Sequence, residues 1–397
     1  MRMRILKYIA PMALVVPLFF ACSNEEDSFG QYEEIVVGNS DVEVKLSMYS
    51  GGTTRASVES DANGLFELDN LGIYMLGTYQ QRTNPDERAI DWRPNINPYA
   101  SWITNVESEA VFNADTTHTD IRWKDGQVRW YPIGNWYSYR FYGYYPRVED
   151  ANITTEKSRV TINYSNLDGK TDIIWGCSDE ADMDDPQEKY RYSARYFRQL
   201  GYSDKYPEIA FRHRLMRIQF YIQGLSDPNL PESEQFDPAN EMFIDTIIVA
   251  KVPTRAELTL ADLNTKANDG KMKYNWTSYL GDIGVVGEND GVFIKKQIHN
   301  DDLIKVGQPL LLPVPDADAA SAGYTKYGVQ IRLRNIDGVL FDHEKPIELN
   351  RVDGIEFEAG KTYRVILKIA GPKQVTVRAH LAPWEDVDDG LNPITID

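Results

Sequence analysis

Apolar and polar side chains alternate with a period of two through most of the chain, and that pattern predicts strands. The first is 42–49, where Val42, Val44, Leu46 and Met48 alternate with Glu43, Lys45, Ser47 and Tyr49, giving one half-buried strand. Residues 71–76 read as a buried strand, and 85–105 as a polar, proline-bearing loop. The stretch 122–132 reads as a hairpin turning at Asp125-Gly126. An aromatic strand follows over 137–145, closed by Pro146, with two more at 160–164 and 172–176. Between Phe211 and Ile222 the phase of alternation shifts at Leu215-Met216, which predicts a bulge or bend.

Further strands are predicted at 243–252, 256–260, 327–333, 365–369 and 375–384, with a proline-punctuated buried run at 309–315. Residues 264–270 and 335–338 carry turn chemistry. No long segment repeats at 3.6 residues, so helix is expected to be a minor component. The Pro-, Ser- and acid-rich stretch 224–240 is the expected seam between two domains. The fold class that follows is all-β, as two tandem antiparallel β-sandwich domains over 40–223 and 224–397.

The first 27 residues break this grammar. Arg2, Arg4 and Lys7 precede an apolar run from Tyr8 to Ala21 that contains Pro11 and Pro17. At about 14 residues the run is shorter than the ~20 a membrane-spanning helix needs, so 1–21 reads as a secretory signal peptide. Phe19-Phe20-Ala21-Cys22 resembles a bacterial lipoprotein box, with Phe19 departing from the usual leucine. The resemblance makes Cys22 the lipidated residue and 22–39 a tether. The acidic run 23–28 is similar to the signal that sends lipoproteins of Bacteroides-type bacteria to the outer face of the outer membrane.

Composition narrows the function classes. A formal net charge of -18 argues against nucleic acid and against anionic membrane surfaces as partners. Two cysteines, Cys22 and Cys177, supply no disulfide framework for an exported chain of 397 residues. The five histidines share no short metal-ligand spacing, and the acidic stretch 179–185 lacks the glycine and terminal glutamate of an EF-hand loop. No metal, cofactor or catalytic residue is therefore expected, and no nucleophile, zinc or phosphate-loop motif is present.

With those pieces in order, the chain resembles a fimbrillin-family lipoprotein of Bacteroides-type bacteria. The residues that carry the resemblance are Thr54-Arg55-Ala56, Phe141-Tyr142-Gly143-Tyr144-Tyr145-Pro146 and Phe211-Arg212-His213-Arg214-Leu215, with 357–363 and 375–384. It implies transthyretin-like sandwich domains and a place in or under a fimbria as structural, tip or anchor subunit. It also implies other fimbrial subunits as partners, joined by β-strand exchange after an Arg-specific protease cuts at the position of Arg55. Val42, Val44, Leu46 and Met48 are then the strand-exchange residues. The alternative is an outer-membrane lipid-anchored protein that binds surface glycans or proteins, using the aromatic stretch from Trp123 to Tyr145 as a stacking platform.

Overall fold

The computed structural model describes residues 38–50, 68–80, 90–113, 118–133, 137–178, 192–199, 206–225, 229, 231, 242–285, 296–298, 303–324, 326–347 and 357–382. All lie in one compact unit that begins at Val37. In chain order the strands open with β1 (Asn39–Glu43), β2 (Leu46–Ser50), β3 (Leu68–Gln80), β4 (Ser101–Asn113), β5 (His118–Trp123), β6 (Trp130–Pro132) and β7 (Tyr137–Tyr145). Next come β8 (Ile153–Thr155), β9 (Arg159–Tyr164), β10 (Ile174–Ser178), the short helix α1 (Ala194–Gln199), β11 (Glu208–His213) and β12 (Met216–Gly224). The second half holds β13 (Phe243–Pro253), β14 (Ala256–Asp262), β15 (Met272–Tyr274), β16 (Leu280–Gly284), β17 (Lys296–Gln297) and β18 (Ile304–Leu312). After the one-turn helix α2 (Ala317–Ser321) the chain ends its described course with β19 (Tyr327–Arg334), β20 (Leu340–Ile347), β21 (Thr362–Gly371) and β22 (Gln374–Ala382).

The chain is all-β, built mainly of antiparallel pairs, as its period-two patterning predicts. Seven strands close into a barrel in the order β10-β11-β2-β5-β4-β3-β7. Closure removes the free edges that an open sheet of this size would present. Two further sheets, β18-β12-β21-β22 and β16-β13-β19-β20, carry the second half. Each turns an apolar row to the core, Ile218, Phe220 and Ile222 on β12 and Val329, Ile331 and Leu333 on β19 being buried. A four-stranded sheet, β15-β14-β9-β8, and a two-stranded one, β1-β6, are the others among the described residues.

Several predicted elements fall differently. The phase shift at Leu215-Met216 is a change of sheet: β11 stays in the barrel, while β12 pairs with β18 and, in parallel, with β21. In the same way β9 pairs with β14 across the two halves of the sequence. Strands on either side of the expected seam at 224–240 thus share sheets, β12 with β18 and β21, and β9 with β14. The predicted hairpin at 122–132 keeps its turn, with the Gly126 amide donating to the Trp123 carbonyl at 3.1 Å and Gly126 at φ +67°. Its arms do not pair with each other: β5 lies between β4 and β2, and β6 pairs with β1. The expected loop 85–105 ends early, because β4 starts at Ser101.

Candidate functional site

The segment carrying Val42, Val44, Leu46 and Met48 has the expected alternation, and all four side chains are buried. It is split in two. Among the described residues β1 pairs with β6 alone, in register Asn39 to Pro132 and Glu43 to Trp130. The Val44 amide then donates to the Arg129 carbonyl at 2.8 Å, carrying the pairing past the end of β1. β2 enters the barrel, antiparallel to β5 with Leu46 opposite Ile121, and parallel to β11 with Met48 opposite Ile209. The barrel is therefore closed by the first described strand that belongs to it.

What holds this segment is mainly apolar packing plus ladder bonds on both sides of β2. Burying four such side chains contributes on the order of 6–12 kcal/mol before chain entropy. The polar side of the segment is lightly tied. Arg198 of α1 reaches Asp41 at 2.6 Å, and Lys45 lies 3.6 Å from Glu43. Both pairs are exposed, where such contacts are worth little. Beneath β1, Tyr131 of β6 packs between Phe141, edge-on at 6.2 Å, and Phe197 of α1 at 5.3 Å. Burial raises the Tyr131 hydroxyl well above the usual phenol range, and among the described residues the hydroxyl has no hydrogen-bond partner. At the turn after β5, Arg129 donates to both oxygens of Asp125 and holds that carboxyl down at about 2.

Two of the stretches that suggested the family, 141–146 and 211–215, meet in the barrel wall, while β21 and β22 of the C-terminal stretches lie in another sheet and 54–56 lies outside the described residues. Gly143 of β7 and Phe211 of β11 flank Gly176 of β10 in register. The Phe211 ring occupies the space over Gly143, so that a Cβ there would stand 2.5 Å from it. Phe141, Tyr142 and Tyr144 are buried around this contact. The aromatic stretch 123–145 is thus mostly core. Among the described residues of this stretch Tyr131, Tyr137 and Tyr139 are buried as well, and Trp123, Trp130 and Tyr145 are half-buried. His213 pairs with Asp172 inside the fold. Among the described residues no cluster of histidine, cysteine or carboxylate side chains is arranged to hold a metal.

Cys22, Arg55, the acidic stretch 179–185 and the C-terminal stretch after 382 lie outside the described residues. A family model described as fimbrillin-like matches residues 54–384. The chain belongs to the fimbrillin-like family. For this fimbrillin-like chain no curated protein gives a match. Among solved structures it is similar to a cell-adhesion candidate from Bacteroides uniformis, at 16% identity over 87% of this chain and 100% of that one, with TM-score 0.45. It is also similar to the fimbrial anchor protein Mfa2 from Porphyromonas gingivalis, at 11% identity over 86% and 97% of the two chains, with TM-score 0.35. A cell-adhesion candidate from Parabacteroides distasonis follows, at 10% identity over 87% and 100%, with TM-score 0.38. Membership of the fimbrillin-like family supports a fimbrial role at the cell surface among other fimbrial subunits.

Proposed function

We propose that the protein is a surface-exposed lipoprotein of the outer membrane, anchored through Cys22, that serves as a structural, tip or anchor subunit of a fimbria. Its partners are other fimbrial subunits, joined by β-strand exchange. The observation that carries this reading is the position of β2. It closes the barrel with buried Leu46 and Met48, has a ladder partner on each side, and leads directly into the stretch that holds Arg55. Removing such a strand leaves an apolar groove with two unpaired ladder edges, which is the acceptor that β-strand addition needs.

Cleavage at Arg55 would also sever the chain from Cys22, so a copy acting as permanent anchor stays uncut, and a polymerising copy does not. The experiment is Arg-specific proteolysis of the purified chain, followed by N-terminal sequencing and sizing. A new terminus at Ala56 together with a ladder of oligomers supports strand exchange. Resistance at Arg55 with a monomer throughout contradicts a polymerising role.

A further inference from the structure

Away from the barrel seam, on the sheet β15-β14-β9-β8, a cleft of about 590 Å³ opens over a polar row. Asn163 on β9, Glu257 on β14 and Lys273 on β15 are register partners, so one row runs across three strands. Their chain neighbours Tyr164, Ala256 and Tyr274 point the other way and are buried, which leaves the polar row on the outer face. Arg255 and Asp318 add one charge of each sign to the rim. Although Glu257 and Lys273 are opposite each other, no ion pair joins them. Among the described residues the side chains of Asn152, Glu257, Lys273 and Asp318 have no hydrogen-bond or ion-pair partner at all.

The wall of the cleft carries a second, independent observation. Trp276 is 3% exposed, packed 6.1 Å from the Tyr324 ring, and its indole N–H has no hydrogen-bond partner among the described residues. A buried N–H of this kind normally finds one, from protein, water or ligand. The volume is that of a small-ligand site.

We infer that this cleft binds a neutral saccharide unit, with the Asn163–Glu257–Lys273 row and Trp276 as its recognition surface. Sugar hydroxyls both donate and accept. They suit a row that alternates an amide, a carboxylate and an ammonium: the Asn163 amide donates to the Asn152 carbonyl at 3.1 Å, while the Glu257 and Lys273 side chains have no partner among the described residues. The two cations and two carboxylates balance, which disfavours a phosphate or any other ligand of one charge sign. The polar floor disfavours a lipid chain. This goes beyond the strand-exchange reading and does not depend on it, since the row lies outside the barrel.

The test is calorimetric titration of the purified chain with N-acetyllactosamine and with maltotriose, using tri-alanine and inorganic phosphate as contrasts. At least one sugar should bind in the micromolar to millimolar range. Glu257→Gln and Lys273→Ala should each weaken it about tenfold, the usual scale for one charge-assisted hydrogen bond. Trp276→Phe, which also removes packing against Tyr274, Tyr324 and Tyr327, should weaken it several-fold at a temperature where circular dichroism shows the variant fully folded, an outcome that a merely structural indole would not give. No sugar binding, sugar binding indifferent to these substitutions, or binding of tri-alanine or phosphate that responds to them in place of sugar would each overturn the assignment. The three variants should oligomerise like the parent after Arg-specific cleavage, so failure here leaves the assembly reading standing and the reverse also holds.

Discussion

Met48 and Ile209 are register partners across the parallel seam between β2 and β11, and both are buried. The seam is where the barrel closes, so Met48 is fixed by a ladder on each side and by the core beneath it. Met48→Ala should lower unfolding free energy by about 2–5 kcal/mol, through lost burial plus the cavity left behind. Lys45→Ala, one turn of the alternation away and exposed, should change it by less than about 0.5 kcal/mol. Urea denaturation followed by tryptophan fluorescence separates the two.

Gly143 leaves room for the Phe211 ring across β10. Gly143→Ala should destabilise by roughly 1–3 kcal/mol, because the new Cβ forces the ring aside in a packed wall. Phe211→Leu in the same chain should recover part of that loss. A double-mutant cycle with no coupling between the two positions would contradict the contact.

Asp269 sits beside Arg140 and Tyr142 of β7, with the Arg140 guanidinium 3.8 Å away and the Asp262 amide donating to it at 2.6 Å. Burial pushes its carboxyl from 3.8 up to about 6, against the pull of that amide and of Arg140. The folded state therefore binds this proton more tightly than the unfolded state. Between the two values stability falls as pH rises, and above about 6 the penalty is complete. The stability of the parent minus that of Asp269→Asn should drop by on the order of 1–3 kcal/mol between pH 4 and pH 7. Denaturation midpoints across that range, in parallel for both proteins, give the slope.

The proposed acylation at Cys22 predicts a fractionation result. Acyl burial contributes about 0.8 kcal/mol per methylene, and stable anchoring needs more than one chain. Cys22→Ala should move the protein from the membrane to the soluble fraction. A variant that stays membrane-bound through salt and chelator washes would contradict the anchor.

The strands were largely legible because burial on one face writes a period of two, as in β19 and β21; β7, buried on both faces, was legible from its aromatic run instead. Pairing was not legible, because it is decided in three dimensions. The run 122–132 has good hairpin chemistry, yet β5 finds β4 and β2 while β6 takes β1. The strand β4 escaped notice because Trp102, Asn105 and Glu107 interrupt its apolar rhythm, and Pro94 and Pro98 precede it. The buried set Val42, Val44, Leu46 and Met48 was readable from alternation alone. That β2 closes a barrel was not, since its partners lie more than 70 and 160 residues away. The polar row Asn163–Glu257–Lys273 left no signal in sequence, as its members come from three separate strands.

The central claim is that β2 is exchangeable, and peptide capture tests it most directly. The chain beginning at Ala56, prepared without the preceding residues, is titrated with a labelled peptide of residues 39–50 and followed by fluorescence anisotropy and native mass spectrometry. The account predicts one-to-one capture, resistant to salt because the contact is apolar, and abolished in a peptide carrying Leu46→Asp and Met48→Asp. A well-folded acceptor that ignores the peptide, or that takes both peptides equally, would contradict it.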